Sequence, residues 1–100
     1  MALNAPFEPR YGAGALQGTT AVASLVAVGY GNRSLVATNP SALTQYLRVG
    51  FSDVVAVANI DFPVPPYSQV VIGKNADMTH ASVVSPDGAG FLHLIPGEGY

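Results

Sequence analysis

Apolar and polar positions alternate along this chain in short runs, and glycine and proline break the runs apart. The clearest run is Thr44 to Phe51. Gln45, Leu47, Val49 and Phe51 share one parity, and Tyr46, Arg48 and Gly50 share the other. A period of two belongs to a strand with one face inward, here the Leu47, Val49, Phe51 side. Thr19 to Val28 is rich in β-branched residues and apolar on both parities, which predicts a strand covered on two sides. Ser34–Thr38, Asp53–Ala58, Gln69–Ile72, His80–Ser85 and Phe91–Ile95 predict five further strands. Turn signals stand between them at Gly29-Tyr30-Gly31-Asn32, Asn39-Pro40-Ser41 and Ser85-Pro86-Asp87-Gly88. The segment Phe62-Pro63-Val64-Pro65-Pro66 lacks three backbone donors and belongs on a sheet edge or in a loop. Ser41 to Leu47 is the alternative place for a helical turn, because Asn39-Pro40-Ser41 also suits a helix start.

About seven short strands, with turn signals roughly every 8 to 12 residues, predict an all-β fold. The expected architecture is a small antiparallel β-sandwich or jelly-roll-like barrel of about seven or eight strands. The first eighteen residues hold Pro6, Pro9, Gly12, Gly14 and Gly18 and keep no period. They are expected to form an extended N-terminal arm, 1–18, ahead of a sandwich domain, 19–100. A chain of 100 residues makes one domain and buries one core without metal or disulfide help.

Composition changes the picture from fold to surface. Charged residues are 10% of the chain and hydrophobic residues 49%; about 25% charged is usual. A compact chain of this mass exposes roughly 5,400 Å², so charges are spread at about one per 540 Å². The exterior is therefore largely uncharged and partly aliphatic, which marks protein contact surfaces. A net charge of −2 supplies no basic patch, so nucleic acid is not expected as a partner. The most apolar stretch, Ala21 to Tyr30, is about half of what a membrane-spanning helix needs. The N-terminus shows no basic start followed by an apolar run, so synthesis and release in the cytosol of the producing cell are expected. On that reading the sequon Asn32-Arg33-Ser34 is incidental.

Candidate chemistry is thin. There is no cysteine, which excludes disulfides and thiolate catalysis. Gly12-Ala13-Gly14-Ala15-Leu16-Gln17-Gly18 departs from a dinucleotide loop in spacing and context and reads as part of the arm. Ala27-Val28-Gly29-Tyr30-Gly31 is similar to a potassium-filter sequence but lacks the flanking membrane helices. Asp77 and His80 lie three apart, and His93 could approach His80 if their strands paired, giving three ligands for a metal; loop and surface roles are the simpler reading. Asp53, Asp61, Asp77 and Asp87 sit at predicted turns, where aspartate makes local hydrogen bonds. No serine has a nucleophile-elbow setting. Neither an enzyme nor a cofactor is expected.

Four segments in order resemble small tailed-phage virion proteins. Asp61-Phe62-Pro63-Val64-Pro65-Pro66-Tyr67-Ser68 is similar to the family's "(D)MPVPAGS" stretch, and Tyr46 to Phe51 sits where the family has a strand ending in "VRFG". Ile72 to Val84 resembles "IG…ADTHVAVI", and Gly90 to Gly99 resembles "GTLYITPGEG". Leu35 to Ser41 also resembles the family's "V-x-N-P/A" step. The resemblance spans roughly residues 33 to 100. Pro66-Tyr67 replaces the family's Ala-Gly, and the N-terminal third has no match. The resemblance implies a capsid-associated virion protein of decoration or cement type, without catalytic residues.

The expected partners are the major capsid protein and further copies of the chain, with a trimer as the expected oligomer. The expected location is the capsid exterior, after synthesis in the host cytoplasm. In the arm, Phe7, Tyr11 and Leu16 are the candidate anchors for a neighbouring subunit, because they are spaced apolar residues between Pro and Gly. Two other readings fit. One is a tail, head–tail or fibre component. The other is a carbohydrate-binding module that stacks sugars on Tyr30, Tyr46, Tyr67 and Tyr100.

Overall fold

The structure, a computed structural model, describes residues 8–9, 14–18 and 23–98. Among the described residues there are nine strands: β1 (Glu8–Pro9), β2 (Gly14–Gly18), β3 (Ser24–Ala27), β4 (Ser34–Asn39), β5 (Gln45–Gly50), β6 (Phe62–Val64), β7 (Ser68–Gly73), β8 (His80–Val84) and β9 (Gly90–Glu98). All pair antiparallel. Sheet A runs β2-β9-β4-β7, and β1 continues β2's place along the same edge of β9. Sheet B runs β3-β8-β5-β6. The chain changes sheet at every step from β2 to β9 except the β5–β6 hairpin. Two four-position sheets with this order are a jelly roll, as the strand count and turn spacing predict.

Alternation sets the core. In sheet A, Leu35, Ala37, Leu92 and Leu94 face inward, and in sheet B, Leu47, Val64, Ala81 and Val83 meet them. All eight are buried. Leu16 and Val28 complete the cluster. Burial of aliphatic area, at roughly 25 cal/mol per Å², is the main stabilising term here.

The end of the sandwich that carries the 40–44, 65–67 and 85–89 loops is held by Asn39. Its Nδ2 donates to Leu43 O at 2.8 Å, Val64 O at 3.0 Å and Pro65 O at 3.1 Å. Its Oδ1 accepts from Ser41 N at 3.0 Å and Ser41 Oγ at 2.7 Å. The Asn39-Pro40-Ser41 turn is thus an Asx turn whose amide also ties β4 to β6 across the core.

Several expectations are corrected. The 1–18 arm is not free of the body, because Gly14–Gly18 forms a ladder with Leu94–Gly90 of β9. Leu16 is buried in the chain's own core, so it is not an anchor for a neighbour. Only Leu16 faces the core between Gly14 and Gly18, which left no period to read. Phe7 and Tyr11 lie outside the described residues. The sandwich therefore begins no later than Gly14, not at residue 19. β3 is an edge strand with Leu25 exposed, not a strand covered on both sides; residues 19–22 are outside the description. Asp53–Ala58 is irregular chain rather than a strand. Ser41–Leu47 forms no helical turn, since β5 begins at Gln45. Phe51 lies beyond β5 and is exposed; Gln45 takes an inward place instead.

Candidate docking surface

The segment expected to be a strand after β5 instead leaves the sheet and folds over its outer face. From Phe51 to Asp61 the chain makes turns closed by Val54 N to Phe51 O at 3.0 Å and Asp61 N to Val57 O at 3.1 Å. Three side chains of sheet B fix it from below. Ser82 Oγ, outward on β8, accepts from Ala56 N at 2.9 Å. Tyr46 OH donates to Asn59 Oδ1 at 2.9 Å. Arg48 Nε donates to Asp61 Oδ1 at 2.8 Å, and Asp61 Oδ2 accepts from Val57 N. Asn59 takes a left-handed φ of 65°, which asparagine tolerates better than most residues.

This pinning turns large apolar side chains to solvent. Phe51, Val55, Val57 and Ile60 are all exposed, Ile60 by 74%. Exposure of isolated apolar residues is ordinary, but four on one anchored loop make a candidate contact surface. Sequence reasoning missed the loop because Val54-Val55-Ala56-Val57 has strand-like composition. The available signal was the lack of clean alternation in that run, bounded by Asp53 and by Asn59-Ile60-Asp61.

Beyond Asp53 and the Arg48–Asp61 pair, charge gathers at one end of the sandwich. The 28–33 and 74–79 loops meet at one end through Val28 N to Thr79 O, Gly31 N to Ala76 O and Lys74 N to Arg33 O. Arg33, Lys74 and Asp77 lie there, and Glu98 joins them by accepting from Arg33 N at 3.1 Å. Burial holds the Lys74 ammonium below its ordinary pKa, with the nearby carboxylates of Glu98 and Asp77 opposing that shift. Lys74 Nζ donates to Met78 O at 2.9 Å. Among the described residues, the opposite end carries one charged side chain, Asp87. The outward face of sheet A carries none: across β7, β4 and β9 it presents Val71, Val36 and Ile95 as one row and Gln69, Thr38 and His93 as the next.

The other candidates do not converge. His80 lies in sheet B and His93 faces outward from sheet A, so the two histidines do not come together. Among the described residues no three of His, Asp and Glu gather as a metal site. Tyr30 lies in the loop after β3 and Tyr67 in the turn after β6, at opposite ends, and Tyr46 is half-buried against Asn59. They form no shared stacking platform; Tyr100 is outside the description. An apolar depression of about 240 Å³ opens between β6 and β7, lined by Leu47, Val49, Phe62, Ile72 and Met78 with Lys74 beside it. Among the described residues no helix is long and apolar enough to cross a membrane.

No protein-family model matches the chain, and no curated protein matches it. Among solved structures it is similar to an RmlC-like cupin from Shewanella frigidimarina NCIMB 400, at 14% identity and a TM-score of 0.38 over 97% of this chain and 86% of that one. A cupin superfamily protein from Desulfitobacterium hafniense DCB-2 is similar at 10% identity and a TM-score of 0.38, over 91% and 84%. A cupin domain from Bordetella pertussis Tohama I follows at 11% identity and a TM-score of 0.35, over 88% and 97%. The jelly-roll assignment stands on strand order and register.

Proposed function

We propose that this chain is a structural protein of a phage particle that seats on the outside of the shell and reinforces contacts between major capsid protein subunits. The observation that carries the reading is the 51–61 loop. A loop held by Ser82, Tyr46 and Arg48 keeps Phe51, Val55, Val57 and Ile60 outward, with little conformational freedom left to lose on docking. The resemblance of residues 33–100 to small virion proteins points to the same class of partner. The role needs no catalytic group and no cofactor. With Leu16 inside the core, docking is assigned to the loop rather than to an N-terminal arm.

The test is co-sedimentation of the purified chain with capsids of the phage whose particles contain it, followed by cryo-electron microscopy. Hundreds of copies on the shell, contacting it through residues 51–61, support the reading. A few dozen copies at the tail or neck support a tail or head–tail component instead. No binding to any part of the particle overturns both.

A further inference from the structure

An open sandwich has strand edges, and an uncovered edge pairs with whatever strand is offered. Three of the four edges here are blunted. β6 is three residues long, with Pro63 inside it and Pro65 after it. β3 has four residues. The edge made by β1 and β2 carries Pro9 in the two-residue β1 and a glycine at each end of β2. β7 differs: Ser68-Gln69-Val70-Val71-Ile72-Gly73 has six residues, no proline and no charge. Among the described residues nothing pairs with its outer edge. Its composition is that of a segment that readily forms intermolecular ladders.

We propose that β7 joins two copies of this chain, antiparallel across a two-fold axis at Val71. The register follows from the side chains. With Val71 opposite Val71 of the second copy, Ile72 stands opposite Val70 and Gly73 opposite Gln69. On the outward face the row Ile95, Val36, Val71 then continues unbroken into its own mirror order in the second copy. On the inward face, Val70 of the second copy arrives beside Ile72, at the mouth of the apolar depression between β6 and β7. Charge permits the pairing. β7 itself carries no charge. The two Lys74 side chains fall six residues apart along the ladder, about 20 Å, well beyond the Debye length of about 8 Å at physiological salt. Tyr67, just before β7, holds a left-handed φ of 53° with its side chain 74% exposed. Such backbone strain at a bulky residue persists only under constraint and gathers at functional places. Here it leaves an aromatic ring standing at the start of the bare edge.

Pairing of this kind closes as a dimer, not as the trimer expected from sequence. Six residues a side bury less than the roughly 800 Å² per partner of a standard interface, so the dimer forms with rising concentration. The inference does not depend on the capsid reading, and its test uses no capsid. The chain has no cysteine, so a single Val71→Cys substitution places the only thiol opposite its symmetry mate. Mild oxidation is expected to convert Val71→Cys to a covalent dimer, while Phe91→Cys, on the same exposed face, stays largely uncrosslinked. Sedimentation equilibrium of the full chain is expected to show a reversible dimer that Val71→Lys abolishes without lowering the melting temperature. Equal crosslinking of the two cysteine variants, or a monomer at every concentration up to the solubility limit, would overturn the proposal.

Discussion

Gly18 and Gly90 face each other in the β2–β9 ladder, and the place their missing side chains leave is filled by Gln45 from the opposite sheet. A Cβ added at Gly90 would overlap Gln45 Nε2 and lie 3.1 Å from Ser41 Oγ. One added at Gly18 would lie 2.5 Å from Gln45 Oε1 and 3.0 Å from Val83 Cγ1. Gln45 is fully buried, so it has nowhere to swing. Its Nε2 donates to Ser41 Oγ at 3.2 Å, and among the described residues its Oε1 has no partner. For Gly90→Ala, overpacking costs about 1–3 kcal/mol, and displacing the Gln45 bond adds about 1 kcal/mol. Removing a glycine from a strand returns about 0.4–1 kcal/mol through the unfolded state. The expected net loss is about 2 kcal/mol, or roughly 10 °C in melting temperature for a domain of this size. In a Gln45→Ala background the obstacle is gone, and the same glycine substitution is expected to cost close to nothing. Urea unfolding of the four proteins in the cycle gives the coupling directly, and at least about 1 kcal/mol is expected. Additivity to within about 0.5 kcal/mol would mean that Gln45 and Gly90 do not share this space, and the packing argument would fail.

Other outcomes follow from the same contacts. Asn39→Ala strips three carbonyl contacts and the Asx turn, and chemical denaturation is expected to show a loss of about 2–4 kcal/mol. Leu94→Ala, at a site with no exposure, is expected to cost about 2–5 kcal/mol by the same assay. Ile60→Ser with Val55→Ser is expected to change stability by less than about 0.5 kcal/mol for each site yet sharply weaken capsid co-sedimentation. For Lys74 the folded pKa is lowered by burial, so above the folded value the unfolded chain binds more protons. Unfolding free energy is therefore expected to rise with pH towards the ordinary lysine value of 10.5, and Lys74→Met is expected to remove that part of the slope.

Much of the fold can be read from the sequence, because β4, β5 and β9 largely bury one parity and leave the other more open, and Asn39-Pro40-Ser41 and Ser85–Gly88 are turns made of turn residues. The jelly-roll order itself comes from tertiary pairing that no local pattern encodes. β2 escaped notice for a physical reason: a strand with glycines at both ends and one inward leucine has no period. The 51–61 loop escaped for the opposite reason. Val54 to Val57 is more strand-like than β6, yet β6 pairs with β5 and the valines do not. What decides is Ser82, whose hydroxyl lies buried on the outer face of β8 and offers Ala56 N an acceptor off the sheet. That hydroxyl is invisible as a loop anchor until β8 is placed between β3 and β5.

The loop and the bare edge bear on each other through geometry. Four side chains on one loop make a small contact, well short of a standard interface, so a lone chain on a capsid would dissociate quickly. Two chains joined through β7 carry two loops on one rigid frame. Once the first loop is seated, the second faces the shell at a high effective concentration, so residence time grows without any new kind of contact. The gain holds only where the capsid offers two seats related as the loops are, which a two-fold or quasi-two-fold axis provides. Val71→Lys separates the effects because it leaves every loop residue untouched. Occupancy of the shell at limiting protein is expected to fall at least tenfold for Val71→Lys, with dissociation faster and association little changed. Wild-type occupancy in a variant that sediments as a monomer would show that each loop holds the shell alone, and that pairing through β7 serves some other purpose.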